Sequence, residues 1–284
     1  MKRVLLPTDF SENAWNAILY ALTIFKNKAC EFFVFNAYQL GSSGLMTKRG
    51  QARDTRLFQL MKEESARKLD GVLQKIKALD INSQHKFHII SKSGDLISAV
   101  GGIAIEESID YIVMGTKGAT GLKEVFMGSN THKIIKTIDF CPIIAVPNQW
   151  PVNKNTDWIL LATSFEHLFE GYEFEPLLDC AKLMKSKILV GYVGDPTKLS
   201  SHQRSTKSLI ERCLKPAEPR FEPIEELGTT HSSIQRHIEN YQNIGMLAMI
   251  NYKHSFIEKL MQEPIIKKVA FNYKVPLLIT HLLE

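Results

Sequence analysis

Arg3-Val4-Leu5-Leu6-Pro7-Thr8-Asp9-Phe10 is written a second time, in altered form, as Trp158-Ile159-Leu160-Leu161-Ala162-Thr163-Ser164-Phe165. Each copy starts as a short apolar run and breaks into a polar turn. The ends of the two halves echo each other as well. Cys141-Pro142-Ile143-Ile144-Ala145-Val146 resembles Val275-Pro276-Leu277-Leu278-Ile279-Thr280. Echoes at corresponding places are the signature of a duplicated unit. A chain of 284 residues has room for two units of ordinary domain size. The join, Pro147-Asn148-Gln149-Trp150-Pro151-Val152-Asn153-Lys154-Asn155, has a linker's composition. The expected units are residues 1–148 and 155–284.

Outward from the opening run, strand and helix patterns alternate. Val4–Leu6, Glu31–Tyr38, His85–Ser91, Tyr111–Met114 and Pro142–Val146 read as strands. Between them, Asn13–Lys26 presents Ala14, Ile18, Ala21, Leu22 and Phe25 at helical spacing, with Ser11 as its N-cap. Residues 54–80 carry a stripe of Leu57, Leu60, Met61, Leu69, Val72, Leu73 and Ile76. Asp95 caps a third helix through Glu107, and Asn130–Thr137 forms a fourth. Residues 39–53 read as a glycine- and basic-rich loop. The second half repeats the rhythm, with strands near 157–162, 187–193, 220–225, 245–250 and 276–280. Pro223 weakens the third of these. Continuous apolar strands alternating with helices predict parallel sheets covered on both faces: α/β, doubly wound, five strands per unit.

Composition narrows the function classes. The chain is 44% hydrophobic and 23% charged, which excludes bulk disorder. Its net charge of +5 lies in the first 150 residues, which hold 19 basic and 14 acidic side chains, against 16 and 16 in the remainder. That bias suits a small anionic ligand and falls short of the basic stripe that nucleic acid requires. Cys30, Cys141, Cys180 and Cys213 are widely spaced, so a disulfide framework or zinc site is not expected, and a reducing, cytoplasmic setting is. No apolar run reaches membrane-spanning length.

The chemistry concentrates where strands end. In open α/β sheets ligands bind outside the carboxyl ends of strands. After the fourth strand comes Gly115-Thr116-Lys117-Gly118-Ala119-Thr120-Gly121-Leu122-Lys123-Glu124-Val125-Phe126-Met127-Gly128-Ser129-Asn130-Thr131. Glycines let main-chain N–H groups approach an anion, and a helix start supplies further donors with partial positive charge. Ser129 and Thr131 add hydroxyls, and Lys117 and Lys123 add charge. The same glycines could simply shape a turn. Neither a Walker A loop nor the dinucleotide GxGxxG fits the spacing.

Gly115-x2-Gly118-x9-Gly128-Ser129 resembles the ATP-binding signature of the universal stress protein family. The opening Val4–Ser11 segment and the closing Cys141–Val146 strand resemble that family's first and last strands. The resemblance covers the first half; the second shares the layout only. It implies two tandem Rossmann-like units of the adenine nucleotide alpha hydrolase type, strand order 3-2-1-4-5. It also implies an adenine nucleotide (ATP, or ADP or AMP), with magnesium as a possible companion. Pro7, Thr8 and Asp9 would border the adenosine, and Ala37 would meet the adenine. Gly115, Gly118 and Gly128 would let main-chain amides reach ribose and phosphates, Ser129, Asn130 and Thr131 would hold the phosphates, and Met114, Lys117 and Gly121 would belong to the same nucleotide site. Asp9 has a second reading as an Asx-type cap. Family members dimerise through the fifth strand, which implies that the two halves pair through 142–146 and 276–280, with a further homodimer possible.

The second half departs from the pattern. Ser164 stands for Asp9, and aligning the closing strands sets Gln262-Glu263 against Gly128-Ser129. It is expected to bind no ATP by this mode and to offer a surface to its partner half or to other proteins. The histidines assemble no metal site: His85 and His88, three apart in a strand, point to opposite faces. His132, beside the loop, reads as a solvated first-turn residue or a ligand contact. The expectation is regulatory nucleotide binding. The alternatives are a slow ATPase or self-phosphorylating enzyme with Asp9 as its carboxylate, and a nucleotide-free interaction module.

Overall fold

Ten strands form one continuous sheet in the order β3-β2-β1-β4-β5-β10-β9-β6-β7-β8. The computed structural model describes residues 1–39, 48–79, 82–116, 128–148, 150, 156–167, 169–241, 243–251 and 274–281. In the first half the strands are β1 (Lys2–Pro7), β2 (Cys30–Tyr38), β3 (Lys86–Ser93), β4 (Tyr111–Gly115) and β5 (Ile143–Val146). The helices between them are α1 (Glu12–Ile24), α2 (Lys48–Lys77), α3 (Leu96–Glu106) and α4 (Ser129–Thr137). The second half contributes β6 (Trp158–Ala162), β7 (Lys187–Val193), β8 (Arg220–Ile224), β9 (Ile244–Asn251) and β10 (Leu277–His281), with α5 (Glu175–Met184), α6 (Ser201–Leu214) and α7 (Thr230–Asn240). Each half is a parallel sheet of order 3-2-1-4-5, as the alternation and the resemblance led one to expect.

Local sequence explains the element ends. Ser11 accepts from the Ala14 amide and Asp95 from the Ser98 amide, which starts α1 and α3 where short polar caps precede apolar periodicity. Pro223 sits in β8, the outermost strand, which has a ladder partner on one side only. A residue without an N–H is tolerated there. The loop reading of 39–53 needs correction: α2 begins at Lys48. Lys, Arg, Gln and Ala are good helix formers, so propensity extends the helix past the point where the apolar stripe begins. Residues 40–47 lie outside the described residues.

Side chains alternate across the sheet and build a core on each face. One core joins Val4, Leu6, Val34, Tyr111, Ile144 and Leu278 of the strands to α1, α2, α5 and α6. The other joins Leu5, Phe35, Ile112, Ala145, Leu247 and Leu277 to α3, α4 and α7. Both cores cross the seam, where β5 and β10 pair antiparallel: Leu277 opposite Ala145, Leu278 opposite Ile144, Ile279 opposite Ile143. The two halves therefore point their strands in opposite directions. Among the described residues no helix is long and apolar enough to cross a membrane.

Candidate functional site

The chain runs outward from β1 to β2 and β3, then crosses back to β4 on β1's other side. The crevice at the carboxyl ends of β1 and β4 is therefore the topological switch point of the first half. Pro7 ends β1, Ala37 lies near the end of β2, and Met114 and Gly115 end β4. Met114 and Ala37 belong to the core under α3 and α4, and alternation puts Pro7 on the same face as Leu5 of that core. Three predicted site residues thus share one face of the sheet at one end of it.

The turn after β1 is rigid. The Thr8 amide donates to the Phe35 carbonyl at 2.8 Å, and the Thr8 hydroxyl accepts from the Phe10 amide at 3.0 Å. Phe10 has φ of +67°, an unusual conformation for a side chain of its size. Asp9 is exposed, and its Oδ1 accepts from the Ser11 amide at 3.0 Å. The Asx-type cap is real. Beneath the turn, Asn36 donates to the Thr8 carbonyl at 2.7 Å and accepts from Ser65 at 2.8 Å. Sequence reading missed Asn36 and Ser65. A polar residue inside the run Phe32-Phe33-Val34-Phe35-Asn36 was the available signal, because a buried amide needs partners.

The second wall is the start of α4. The Thr116 amide donates to the Val146 carbonyl at 2.9 Å, and the Gly128 amide donates to Thr116 at 2.6 Å, so the ends of the intervening segment meet. Lys117, Gly118 and Gly121 fall in residues 117–127 and lie outside the described residues. Gly128 is the N-cap of α4 and brings no side chain to that position. The first-turn amides of Ser129, Asn130 and Thr131 have no acceptor within the helix. The first turn has no acidic residue, and Lys133 and Lys136 follow. These are the physical requirements for an anion at a helix start. Thr131 is buried, and its hydroxyl donates to the Gly115 carbonyl at 2.9 Å, so its side chain braces the strand end. His132 is half-buried and its pKa is lowered, first by burial and then by Lys136. Gly115 is required by a close approach: a Cβ there would lie 2.5 Å from Oδ1 of Asn13 and 3.0 Å from the Asn13 carbonyl. Asn13, also missed in the sequence, holds the Val146 carbonyl at 3.1 Å.

The second half keeps the turn. Phe165 has φ of +58°, and its amide donates to Thr163 Oγ1 at 3.1 Å, matching Phe10 and Thr8. The space beside it, lined by Thr163, Ser164, His167, Phe169 and Ile250, is a cavity of about 10 Å³. Phe169 is buried there against Phe174. The positions set against Gly128-Ser129, Gln262-Glu263, lie outside the described residues.

Fold and topology together define a doubly wound α/β protein with a crevice at the switch point of its first half. Residues 1–147 match the universal stress protein family, and the chain belongs to it. Two relatives from Methanocaldococcus jannaschii align with the first half. Universal stress protein MJ0531 is 28% identical over 145 residues, 51% of this chain and 81% of its own length. Universal stress protein MJ0577 is 29% identical over 148 residues, 48% of this chain and 88% of its own. Across both halves, the fold is similar to that of a universal stress protein from Archaeoglobus fulgidus. The TM-score is 0.69 at 21% identity, covering 98% of this chain and 96% of that one.

Proposed function

We propose that the first half binds an adenine nucleotide in the crevice between β1, β4 and the start of α4, and that the protein acts through occupancy rather than turnover. The observation that carries this reading is the glycine-capped start of α4, set across from the apolar strand ends. A base would lie against Pro7, Ala37 and Met114. The phosphates would meet the amides of Ser129, Asn130 and Thr131. Asp9, exposed just after β1, would meet the nucleoside, and magnesium would accompany a triphosphate as its counter-ion.

In this reading residues 155–284 form a second unit that holds no nucleotide. The cavity of about 10 Å³ beside Ser164 and Phe169 supports it. That unit pairs with the first through the seam and leaves its outer face to protein partners. A cytoplasmic stress response is the setting the family suggests.

The test is native mass spectrometry of the purified protein, followed by calorimetry with ATP, ADP and AMP. One nucleotide per chain is expected, with binding lost when Gly128 is replaced by a bulky residue. A stoichiometry of two, or binding indifferent to that change, would sink the reading.

A further inference from the structure

A second cavity, of about 650 Å³, opens at the opposite end of the first half, where β1, β4 and β5 begin and β10 ends. Its size falls within the range of small-ligand sites, about 300–1,000 Å³. Its two walls come from the two halves of the chain. Asp110, Asp139 and Pro142 stand on one side; Glu173, Glu175 and Asp179 stand on the other. Lys2 is the cation among them, with Nζ 3.0 Å from Asp179 and 3.7 Å from Asp110. His281 adds no charge near neutrality, because burial pushes its pKa down to about 4 against a weaker upward pull from Asp139. The lining is strongly negative, while Tyr111, Phe140 and Pro176 give it apolar and aromatic surface.

Some of this charge has structural work. Glu173 accepts from the Glu170 amide at 2.9 Å, Asp110 from the Arg3 amide at 2.7 Å, and Asp179 from the Tyr111 hydroxyl at 2.9 Å. Asp139 and Glu175 are exposed and make no ion pair among the described residues. Among the described residues no three His, Cys, Asp or Glu side chains are grouped to hold a metal ion.

The independent sign of a ligand is Thr280. It is 3% exposed, lines the cavity, and its Oγ1 has no hydrogen-bond partner among the described residues. Alternation along β10 puts it on the face of Leu278, the same face that carries Tyr111 and α5. A buried hydroxyl without a partner is costly and calls for an explanation. Packing does not supply one, because the equivalent residue of the first half is Val146, equally buried.

We infer that this cleft is a binding site for a linear aliphatic polyamine, whose ammonium groups meet Asp139 and Glu175 on opposite walls while one amine reaches Thr280. An extended cation can meet carboxylates contributed by both walls without needing the grouped ligands of a metal site, and its methylene spacers suit Phe140 and Pro176. The ligand would bridge the two halves. The inference is independent of nucleotide binding at the other end of β1.

Calorimetry of the full chain with spermidine at physiological ionic strength tests it. One saturable site per chain is expected. Asp139→Asn with Glu175→Gln should weaken it about tenfold or more, since both are charge-assisted contacts. Thr280→Val, which copies Val146 and spares the fold, should weaken it by about threefold to tenfold. No saturable binding overturns the proposal. So does affinity unchanged in Thr280→Val, or full displacement of spermidine by an equal concentration of magnesium, the behaviour of a diffuse counter-ion. If the double variant fails to fold, Thr280→Val alone decides.

Discussion

Ile144 of β5 lies directly opposite Leu278 of β10, its own counterpart in the duplicated sequence. On either side the pairs exchange roles: Ile143 faces Ile279, and Ala145 faces Leu277. This is the register of an isologous contact, in which each copy presents the same edge to the other. The seam is therefore a dimer interface held within one chain. All four β5 residues are completely buried.

The first prediction concerns that seam. A chain ending at residue 148 would leave the outer edge of β5 unpaired, with its apolar side chains uncovered. Open edges of this kind recruit another strand. We expect such a chain to form a dimer, read by analytical ultracentrifugation, and the full chain to gain nothing from that edge. A monomeric first half with an intact fold would show that the seam is a passive contact.

Gly115 and Gly191 make a matched pair for the second. A Cβ on Gly115 meets the buried Asn13 amide and a main-chain carbonyl, which cannot move aside. A Cβ on Gly191 meets Ile224 Cδ1 at 2.6 Å and Leu160 Cδ1 at 2.8 Å, the far ends of two side chains. Gly115→Ala should cost about 2–3 kcal/mol and Gly191→Ala less, by urea denaturation, because overpacking costs most where nothing can relax. Equal costs would mean that Asn13 swings away and the neck of the crevice is soft.

These positions mark what a sequence shows and what it hides. The strand alternation, the caps at Ser11 and Asp95, and the crevice at Pro7-Thr8-Asp9 were legible because apolar period and capping chemistry are local. The start of α2 was not, because Lys48–Arg53 has helix propensity without an apolar stripe. Asn13, Asn36 and Ser65 act across 133, 28 and 29 positions of chain, and nothing local announces such partners. The acidic cleft was equally hidden, because its carboxylates come from separate elements of two halves.

Asp9 holds a turn and carries a charge, and the third prediction separates the two. Asp9→Asn keeps an oxygen for the Ser11 amide, whereas Asp9→Ala removes it. Stability should fall by about 0.5–1.5 kcal/mol in the alanine variant and stay near wild type in the asparagine one. ATP affinity should fall in both if the carboxylate meets the nucleoside. Affinity that tracks stability alone would confine Asp9 to the turn.

Thr131 gives the fourth. Its hydroxyl is buried and ties α4 to the end of β4 through the Gly115 carbonyl. Thr131→Val preserves shape and strands that carbonyl, at a cost of about 1–3 kcal/mol. Thr131→Ser retains the donor and should keep nucleotide affinity, with a smaller loss from the missing methyl. If the valine variant binds ATP as tightly as wild type, the brace is not needed to aim the α4 amides.

The last prediction follows from His281. Burial holds its folded pKa down to about 4, and the charge of Asp139 recovers only part of that. An unfolded histidine titrates near about 6.5. Between those values the unfolded chain takes up a proton that the folded protein refuses, so stability falls as pH drops from 6.5 towards 4 and levels off below. The full effect is at most about 3 kcal/mol. His132, His167 and His237, lowered mainly by burial, act in the same direction. Glu173, raised by burial, opposes them, since its contribution is lost as pH rises. Comparison with His281→Gln removes these shared effects. Unfolding free energies at pH 7 and pH 5 should differ less in the variant than in wild type, whose mean slope over that interval should exceed it by about two-thirds of a proton. Parallel slopes would mean that His281 is protonated in the folded state, and a cleft carrying that extra positive charge would be less hospitable to a polyamine.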